Sequence, residues 1–253
     1  MNTDNAWEVY AKTNPYWAVL TDDLFLNSNL NEHGLTDFFA SGESHVIAVH
    51  SVLKHFLNAP DRFKTSLDFG CGVGRLVKTL AAMSDLCVGV DISDTMLKIS
   101  RENMRRYNIT NTRFIKSDES MSDLIYNIDF LHSVIVFQHI PPERGLRIMN
   151  SLLKKLNSGG YGYLQLTFAN TISSIQIESS ATTGADYKYY QRCGSNITKL
   201  ISSESVELRM QMNHYNLNEV MCLFHSHEIN DVISRQTIHE NCLGIELFFR
   251  KKK

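Results

Sequence analysis

Apolar residues recur at helical spacing in some stretches of the chain and form short continuous runs in others. We predict a helix over residues 42–57, opened by Gly42, because five apolar side chains share one face of it: Val46, Val49, Leu53, Phe56 and Leu57. From residue 58 to Phe168, runs typical of buried strands alternate with helical segments. This alternation predicts an α/β domain with right-handed crossovers and a parallel sheet.

Two kinds of element are predicted near the end of the chain. Asn216 can cap a helix over residues 217–227, because its side-chain oxygen can accept from a free amide of the first turn. Two β-rich runs follow at residues 228–237 and 244–250, and each predicts a strand.

The sequence LDFGCGVGRL, residues 67–76, lies between a predicted strand at 66–69 and a predicted helix at 75–83. Its glycines permit positive φ and let a ligand approach the free amides that open the helix. The dinucleotide pattern G-x-G-x-x-G would need glycine at the position of Arg75. Asp68 would aim a carboxylate into the turn, where it repels pyrophosphate and attracts an ammonium group. A cationic, nucleotide-like ligand is therefore favoured.

A second acidic residue follows at the distance that doubly wound folds use. The run LCVGVDIS, residues 86–93, predicts a strand ending in Asp91, 17 positions beyond Gly74. A carboxylate near this ~20-residue offset can accept both hydroxyls of a ribose.

The motifs DFGCGVGR and VGVDIS resemble motif I and the following acidic loop of class I S-adenosylmethionine-dependent methyltransferases. The resemblance continues in order through TRFIKSDES (112–120), DFLHSVIVFQHIPPERG (129–145) and LLKKLNSGGYGYLQLTF (152–168). It spans residues 43–168 and returns at 217–250.

This resemblance implies a Rossmann-like three-layer sandwich with a seven-stranded, mostly parallel sheet and an antiparallel closing strand. An N-terminal helical extension would form a cap over residues 1–57. The cofactor-binding methyltransferase domain would comprise residues 58–168 and 210–253, with an insertion at 169–209 after the fifth strand.

The resemblance also implies S-adenosylmethionine as cofactor and S-adenosylhomocysteine as product. The ammonium group would explain Asp68, the ribose would explain Asp91, and Asp118 with Glu119 beside it would contact the adenine amino group. The predicted cofactor-binding residues are Asp68, Gly70, Cys71, Gly72, Gly74, Arg75, Asp91, Ile92, Met96, Asp118, Glu119, Ser133 and Gln138. No metal is expected, because the histidines do not have the spacing of metal ligands on one helix face.

Methyl transfer from a sulfonium chiefly requires alignment of the acceptor and exclusion of water. A hydroxyl acceptor must also lose a proton. His139 is our candidate base, because the loop after the fourth strand faces the methyl group in this family; alternatively it braces the loop ahead of Pro141 and Pro142. His214 and Tyr215 could line the acceptor pocket or form a hydrophobic staple at the start of a helix.

Two segments are expected to select the acceptor. Trp7, Tyr10, Tyr16 and Trp17 could close over the cofactor or could anchor the N-terminal helices. The insertion at 169–209 follows the carboxyl end of the fifth strand, where ligands of open α/β sheets bind. We interpret it as a lid or substrate-recognition segment, with a solvated surface loop as the alternative.

Composition and charge narrow the classes of function. A chain of 253 residues with 43% hydrophobic content can bury one α/β core with additions. The net charge of −2 disfavours a nucleic-acid acceptor, which normally requires a basic surface. The five cysteines include no C-x-x-C pair, which is typical of reduced thiols, and no apolar run approaches the ~18 residues of a membrane span. We expect a cytoplasmic protein.

We therefore predict a methyltransferase that modifies an oxygen or nitrogen of a small molecule, such as a metabolite, sugar or biosynthetic intermediate. The alternatives are a methyltransferase of nucleic acid or protein and a non-catalytic, cofactor-binding partner subunit. The expected partner is a small-molecule acceptor, with no nucleic acid and no membrane, and the sequence makes no prediction of oligomeric state.

Overall fold

The computed structural model describes residues 3–170, 177–179, 187–193, 196–201, 211–239 and 242–253. The N-terminal helices are α1 (Thr3–Thr13), α2 (Pro15–Val19) and α3 (Glu32–Leu57), with a 3-10 turn at Asp23–Phe25. The alternating part comprises β1 (Phe63–Phe69), α4 (Val77–Ala82), β2 (Ser84–Asp91), α5 (Asp94–Arg106), β3 (Thr112–Lys116), β4 (Ile128–Ser133), a 3-10 turn (Phe137–His139), α6 (Pro142–Lys155) and β5 (Leu156–Asn170). The remaining elements are β6 (Ile177–Ser179), β7 (Tyr187–Cys193), β8 (Asn196–Ile201), β9 (Gln211–Met212), α7 (Leu217–Ser226), β10 (Ile229–His239) and β11 (Cys242–Lys251).

The main sheet has seven strands in the order β10-β11-β5-β4-β1-β2-β3. Strands β1 to β5 pair in parallel, and β11 lies between β5 and β10, antiparallel to both. The predicted fold class, a mostly parallel seven-stranded sheet with an antiparallel closing strand, is confirmed. Because parallel strands end at the same edge, the loops after β1, β2 and β4 meet at one side of the sheet.

Helices cover both faces of this sheet, as a three-layer arrangement requires. Helices α3, α4 and α5 pack on the face that carries Phe63, Phe130 and Phe248. Helices α6 and α7 pack on the opposite face, which carries Leu131 and Leu164. Successive strand residues point to opposite faces, so strands buried on both sides read as continuous apolar runs.

Polar caps set where several helices begin. Asn31 caps α3 by accepting from Gly34 N at 2.9 Å, and Ser93 caps α5 by accepting from Met96 N at 3.1 Å. Asn216 caps α7 as predicted, its side-chain oxygen accepting from Asn218 N at 3.0 Å.

The prediction that Gly42 opens a helix is wrong, because α3 begins ten residues earlier, at Glu32. Gly42 lies inside α3, where an added Cβ would come within 2.5 Å of the Arg75 carbonyl oxygen. The glycine therefore allows the helix to approach the backbone of the glycine-rich turn closely. The helix predicted at 75–83 is also shorter than expected and comprises only α4.

The insertion contributes backbone to a second sheet of four antiparallel strands, ordered β6-β7-β8-β9. Most of the segment 169–209 falls outside the described residues, so its role as a lid stays a prediction, as do the domain boundaries. Within the described ranges, no helix is both long enough and apolar enough to span a membrane.

Candidate active site

A cavity of about 870 Å³ opens where the parallel strands end, beneath the N-terminal helices. Ten predicted site residues line it: Asp68, Gly70, Cys71, Gly72, Arg75, Asp91, Ile92, Met96, Gln138 and His139. Six other predicted residues are not part of this lining in the described structure: Gly74, Asp118, Glu119, Ser133, His214 and Tyr215. The glycine-rich turn, the end of β2 and the loop after β4 are thus brought together around one space.

Two glycines of the glycine-rich turn lie so close to other segments of the chain that no side chain would fit there. Gly72 has φ +52°, and an added Cβ would lie 2.5 Å from the Val19 side chain of α2. Gly74 has φ +88° and would place a Cβ 2.5 Å from the Ser100 hydroxyl of α5. Gly72 therefore faces the cavity beneath α2, whereas Gly74 allows α5 to pack against the turn.

Asp91 ends β2 with its carboxylate at the cavity wall. One carboxylate oxygen accepts from Gly72 N at 2.8 Å and the other accepts from Ser93 N at 2.9 Å. Burial disfavours the charged form and raises the pKa of Asp91 to about 6. The carboxylate is thus fixed between the glycine-rich turn and the start of α5, in position to accept further hydrogen bonds from the cavity.

Asp68 and Arg75, which are of opposite charge, both line the cavity, and each has a buried polar atom without a hydrogen-bond partner among the described residues. Asp68 Oδ1 accepts from His132 Nδ1 at 2.9 Å, but Asp68 Oδ2 is buried and has no hydrogen-bond partner among the described residues. Arg75 Nη1 donates to Ser41 Oγ at 3.3 Å, while its buried Nε likewise has no described partner. An amino acid zwitterion would supply an ammonium group to Asp68 and a carboxylate to Arg75. The site therefore fits the amino acid part of S-adenosylmethionine.

The side chains of Asp118 and Glu119 point to other partners. The Asp118 carboxylate accepts from Ser120 Oγ at 2.9 Å and from Ser122 N at 3.1 Å. The Glu119 carboxylate accepts from Arg147 Nε at 2.8 Å. These bonds hold the loop after β3, and the neighbouring Ser117 lines the cavity instead. The adenine contact proposed for the two carboxylates stays a prediction that this geometry does not support.

The structure places Tyr215 in the core, away from the cavity. Its hydroxyl donates to the Ile140 carbonyl at 3.0 Å, and its ring packs edge-on against Phe137. An added Cβ at Gly145 would lie 1.8 Å from the hydroxyl, so the ring fills the space beside α6. His214 is buried next to it. The roles predicted for these two residues stay predictions, and the Tyr215 contacts do not support a place for it in the acceptor pocket.

The Ser133 side chain also bonds to the backbone, and its predicted contact with the cofactor stays a prediction. Its hydroxyl is buried at the end of β4 and donates to the Phe69 carbonyl at 2.9 Å. The bond ties the ends of the neighbouring strands β1 and β4 together, just before the loops that line the cavity.

Aromatic residues of α1 and α2 cover the cavity. Trp7, Tyr10 and Trp17 line it, and the Trp7 ring lies edge-on to the candidate base His139, with ring centroids 5.0 Å apart. Tyr16 instead donates its hydroxyl to Asn103 Oδ1 at 3.0 Å and anchors α2 to α5. Three of these aromatic residues therefore line the cavity and one anchors a helix, while closure over the cofactor stays a prediction.

Polar bonds hold α1 in this position. Glu8 accepts from Ser93 Oγ and from Thr95 Oγ1, both at 2.6 Å. Burial opposes the charge, but these hydrogen bonds outweigh it and lower the pKa of Glu8 to about 2. Asp4 also accepts two bonds from Arg144, at 2.6 and 3.0 Å. Helix α1 is therefore fixed to both α5 and α6.

The loop after β4 carries backbone strain at the cavity. Ile135 lines the cavity with φ +57°, a conformation that β-branched residues rarely adopt. Its amide donates to Gln165 Oε1 of β5 at 3.0 Å, which holds the loop in place. Such strain is concentrated at functional sites.

Sequence reasoning missed several polar residues of the lining, among them His45, Gln165, Thr237 and Glu246. The available signal was a polar residue inside an otherwise apolar pattern, as in GIELFFR around Glu246. Register brings two of them together, since Glu246 of β11 pairs with Gln165 of β5.

Comparisons with known proteins agree with this geometry. Residues 67–160 match the family model of a methyltransferase domain. A solved S-adenosylmethionine-dependent methyltransferase from Clostridium acetobutylicum superposes with a TM-score of 0.63 at 13% identity, covering 97% of this chain and 100% of that one. CalS10, an amino pentose methyltransferase from Micromonospora echinaspora, gives a TM-score of 0.61 at 13% identity, covering 87% of this chain and 97% of that one.

A curated relative matches over a smaller part of the chain. The 23S rRNA (uracil(1939)-C(5))-methyltransferase RlmD of a Marinomonas strain is 28% identical over 96 residues. The match covers 38% of this chain and 21% of the relative, so the chain spans about a fifth of that protein's length.

The chain therefore has the fold of S-adenosylmethionine-dependent methyltransferases. Its residues 67–160, which include the glycine-rich turn and Asp91, match a methyltransferase domain.

Proposed function

We propose that the protein is an S-adenosylmethionine-dependent methyltransferase that acts on an oxygen or nitrogen of a small polar molecule. The observation that carries the proposal is that one cavity is lined both by the glycine-rich turn with its charged residues and by polar side chains of other strands. One end has the glycine-rich turn, Asp68, Arg75 and Asp91, and the other has polar side chains of β5, β10 and β11. A cofactor held at the first end leaves the second for the acceptor.

The part of the cavity wall formed by β10 and β11, where we place the acceptor, carries hydrogen-bonding groups. Glu246 accepts from the Tyr163 hydroxyl at 2.9 Å and forms an ion pair with Arg235, so its carboxylate is held in a fixed position. An added Cβ at Gly244 would lie 2.4 Å from Thr237 Oγ1, so glycine leaves the space that the Thr237 side chain occupies. A few fixed polar groups in a largely apolar cavity suit a hydroxyl- or amine-bearing ligand.

In this proposal the chain binds the cofactor, orients the acceptor and excludes water. Bound S-adenosylmethionine supplies an electrophilic methyl group. Asp68 and Arg75 hold its amino acid part, Asp91 holds its ribose, and Trp7 with the other aromatic residues of the cap excludes water. His139 remains the candidate that takes the proton of a hydroxyl acceptor.

The comparisons support a small acceptor but also keep a second candidate open. One solved neighbour is an amino pentose methyltransferase, and another is a Haemonchus contortus phosphoethanolamine N-methyltransferase. An RNA acceptor is favoured by the match to an rRNA methyltransferase. The net charge of −2 and the covering helices favour the small molecule, because RNA binding normally uses an open basic surface.

The test follows a labelled methyl group. The protein is incubated with methyl-labelled S-adenosylmethionine and, separately, a library of amino sugars and hydroxylated metabolites, total RNA, and total protein. We expect label only in the small-molecule fraction, and a loss of roughly 10²- to 10⁴-fold in His139→Ala if that residue is the base. His50→Gln, a buried α3 histidine whose side chain bonds to the Pro60 carbonyl, is the matched control and keeps full turnover. Label in RNA would contradict the proposal.

A further inference from the structure

Three side chains, two of them buried and the third, His45, half-buried, form a continuous hydrogen-bonded chain whose two ends, Asp68 and His45, line the cavity. Asp68 of β1 accepts from His132 of β4 at 2.9 Å, and His132 Nε2 lies 3.0 Å from His45 Nε2 of α3. The Asp68 and His132 side chains are only 2% and 0% exposed. The two residues are register partners in the parallel sheet, so strand pairing itself brings them together.

The direction of each hydrogen bond follows from chemistry. A carboxylate only accepts, so His132 must carry its proton on Nδ1. With His132 in the neutral tautomer that carries its only ring proton on Nδ1, His132 Nε2 accepts and His45 Nε2 donates. Burial is the main reason that the pKa of His45 is lowered to about 3, so His45 is neutral at physiological pH.

The chain fixes how the Asp68 carboxylate is turned. His132 occupies Oδ1, and the buried Oδ2 is left without a partner in the described structure while Asp68 lines the cavity. Aromatic contacts with Tyr163 hold both histidines in place. The His132 ring stacks on the Tyr163 ring with centroids 5.0 Å apart, and the His45 ring packs edge-on against the same ring with centroids 5.5 Å apart. A core that needed only packing would be served as well by apolar residues of the same shape.

We propose that His132 and His45 are positioning residues that hold the Asp68 carboxylate with one oxygen free for the ammonium group of the cofactor. This inference rests on the proposed function, because it assumes that the cavity binds S-adenosylmethionine. It predicts that the two histidines affect recognition of the amino acid part of the ligand and leave recognition of the nucleoside part unchanged.

Two ligands separate these parts in isothermal titration calorimetry. S-Adenosylhomocysteine contains the amino acid, whereas 5′-methylthioadenosine has the same nucleoside and sulfur without it. His132→Leu removes the donor to Asp68, and we expect it to weaken S-adenosylhomocysteine about tenfold and 5′-methylthioadenosine hardly at all. His132→Asn keeps a donor near the Nδ1 position and should restore most of the difference.

The second histidine is tested in the same way. His45→Leu removes the donor to His132 and should weaken S-adenosylhomocysteine several-fold, whereas His45→Gln keeps an N–H near the Nε2 position and should bind almost normally. His50→Leu is the matched control, because His50 is also buried on α3 but bonds to the Pro60 carbonyl at 2.8 Å. It should lower the melting temperature and leave the ratio of the two affinities unchanged.

A double variant tests whether the effect of His132 on binding depends on Asp68. In an Asp68→Asn background, His132→Leu should leave the ratio of the two affinities unchanged, because the residue that His132 positions has lost its charge. Equal weakening of both ligands, or undiminished S-adenosylhomocysteine binding in folded His132→Leu, would overturn the inference. If the unmodified protein bound neither ligand, the proposed function would fail along with it.

Discussion

Replacing Asp91 with asparagine should stabilise the ligand-free protein and weaken cofactor binding. The Asp91 carboxylate is 9% exposed and accepts from the amides of Gly72 and Ser93. A buried charge at a ligand site is a feature that costs stability and serves binding, so the two effects should have opposite signs.

The size of the stability effect follows from the pKa. Its rise from 3.8 to about 6 corresponds to about 3 kcal/mol. Because the folded-state pKa is the higher one, the contribution of Asp91 to the free energy of unfolding is full below pH 3.8 and is lost as the pH rises through about 6. At pH 7 the asparagine avoids this loss but leaves one amide without an acceptor, which costs about 1–3 kcal/mol. We expect a net gain of about 1 kcal/mol.

The binding effect follows from the ribose contact. Charged hydrogen bonds contribute about 1.5–3 kcal/mol each, so Asp91→Asn should bind S-adenosylhomocysteine at least about tenfold more weakly. Ribose hydroxyls donate to the ionised carboxylate, so the dissociation constant of the unmodified protein should rise about tenfold for each pH unit below about 6. The variant should lack this pH dependence.

The assays are calorimetric titration with S-adenosylhomocysteine from pH 5 to pH 8 and urea unfolding of the ligand-free protein at pH 7. Asp129→Asn is the matched control, because Asp129 also accepts a backbone amide, from Thr65 at 2.9 Å, at the other end of the strands. A less stable Asp91→Asn that binds as tightly as the unmodified protein would refute the reasoning.

Two further predictions concern packing. Gly42→Ala should lower the melting temperature, because the new methyl group would clash with the Arg75 carbonyl. Overpacking of this kind costs about 1–3 kcal/mol, which outweighs the roughly 1 kcal/mol by which alanine favours a helix. An unchanged or higher melting temperature would contradict the close approach. Tyr215→Phe should reduce the free energy of unfolding in urea by about 1 kcal/mol through loss of the bond to Ile140 and leave S-adenosylhomocysteine affinity unchanged; weakened binding would return Tyr215 to the site.

The sequence by itself was enough to predict the fold and one end of the cavity. Strand and helix periodicity are local properties, and the spacing of the glycines reports a local need for positive φ. Asp68 and Arg75 were therefore found because they flank the glycines of that turn, and Asp91 because it lies 17 positions beyond Gly74, near the offset that doubly wound folds use. The cap at Asn216 was found for the same reason.

Only the tertiary structure decided which distant side chains share the cavity. His45, His132 and Asp68 come from a helix and two strands far apart in the chain, and helix packing and strand register join them. The same holds for Glu246 and Gln165, which pair across antiparallel strands. Tyr215 could not be separated from a pocket residue by sequence, because the carbonyl that it binds belongs to a segment 75 positions away. Periodicity gives the face on which a side chain lies, whereas its partners depend on the packing of whole elements.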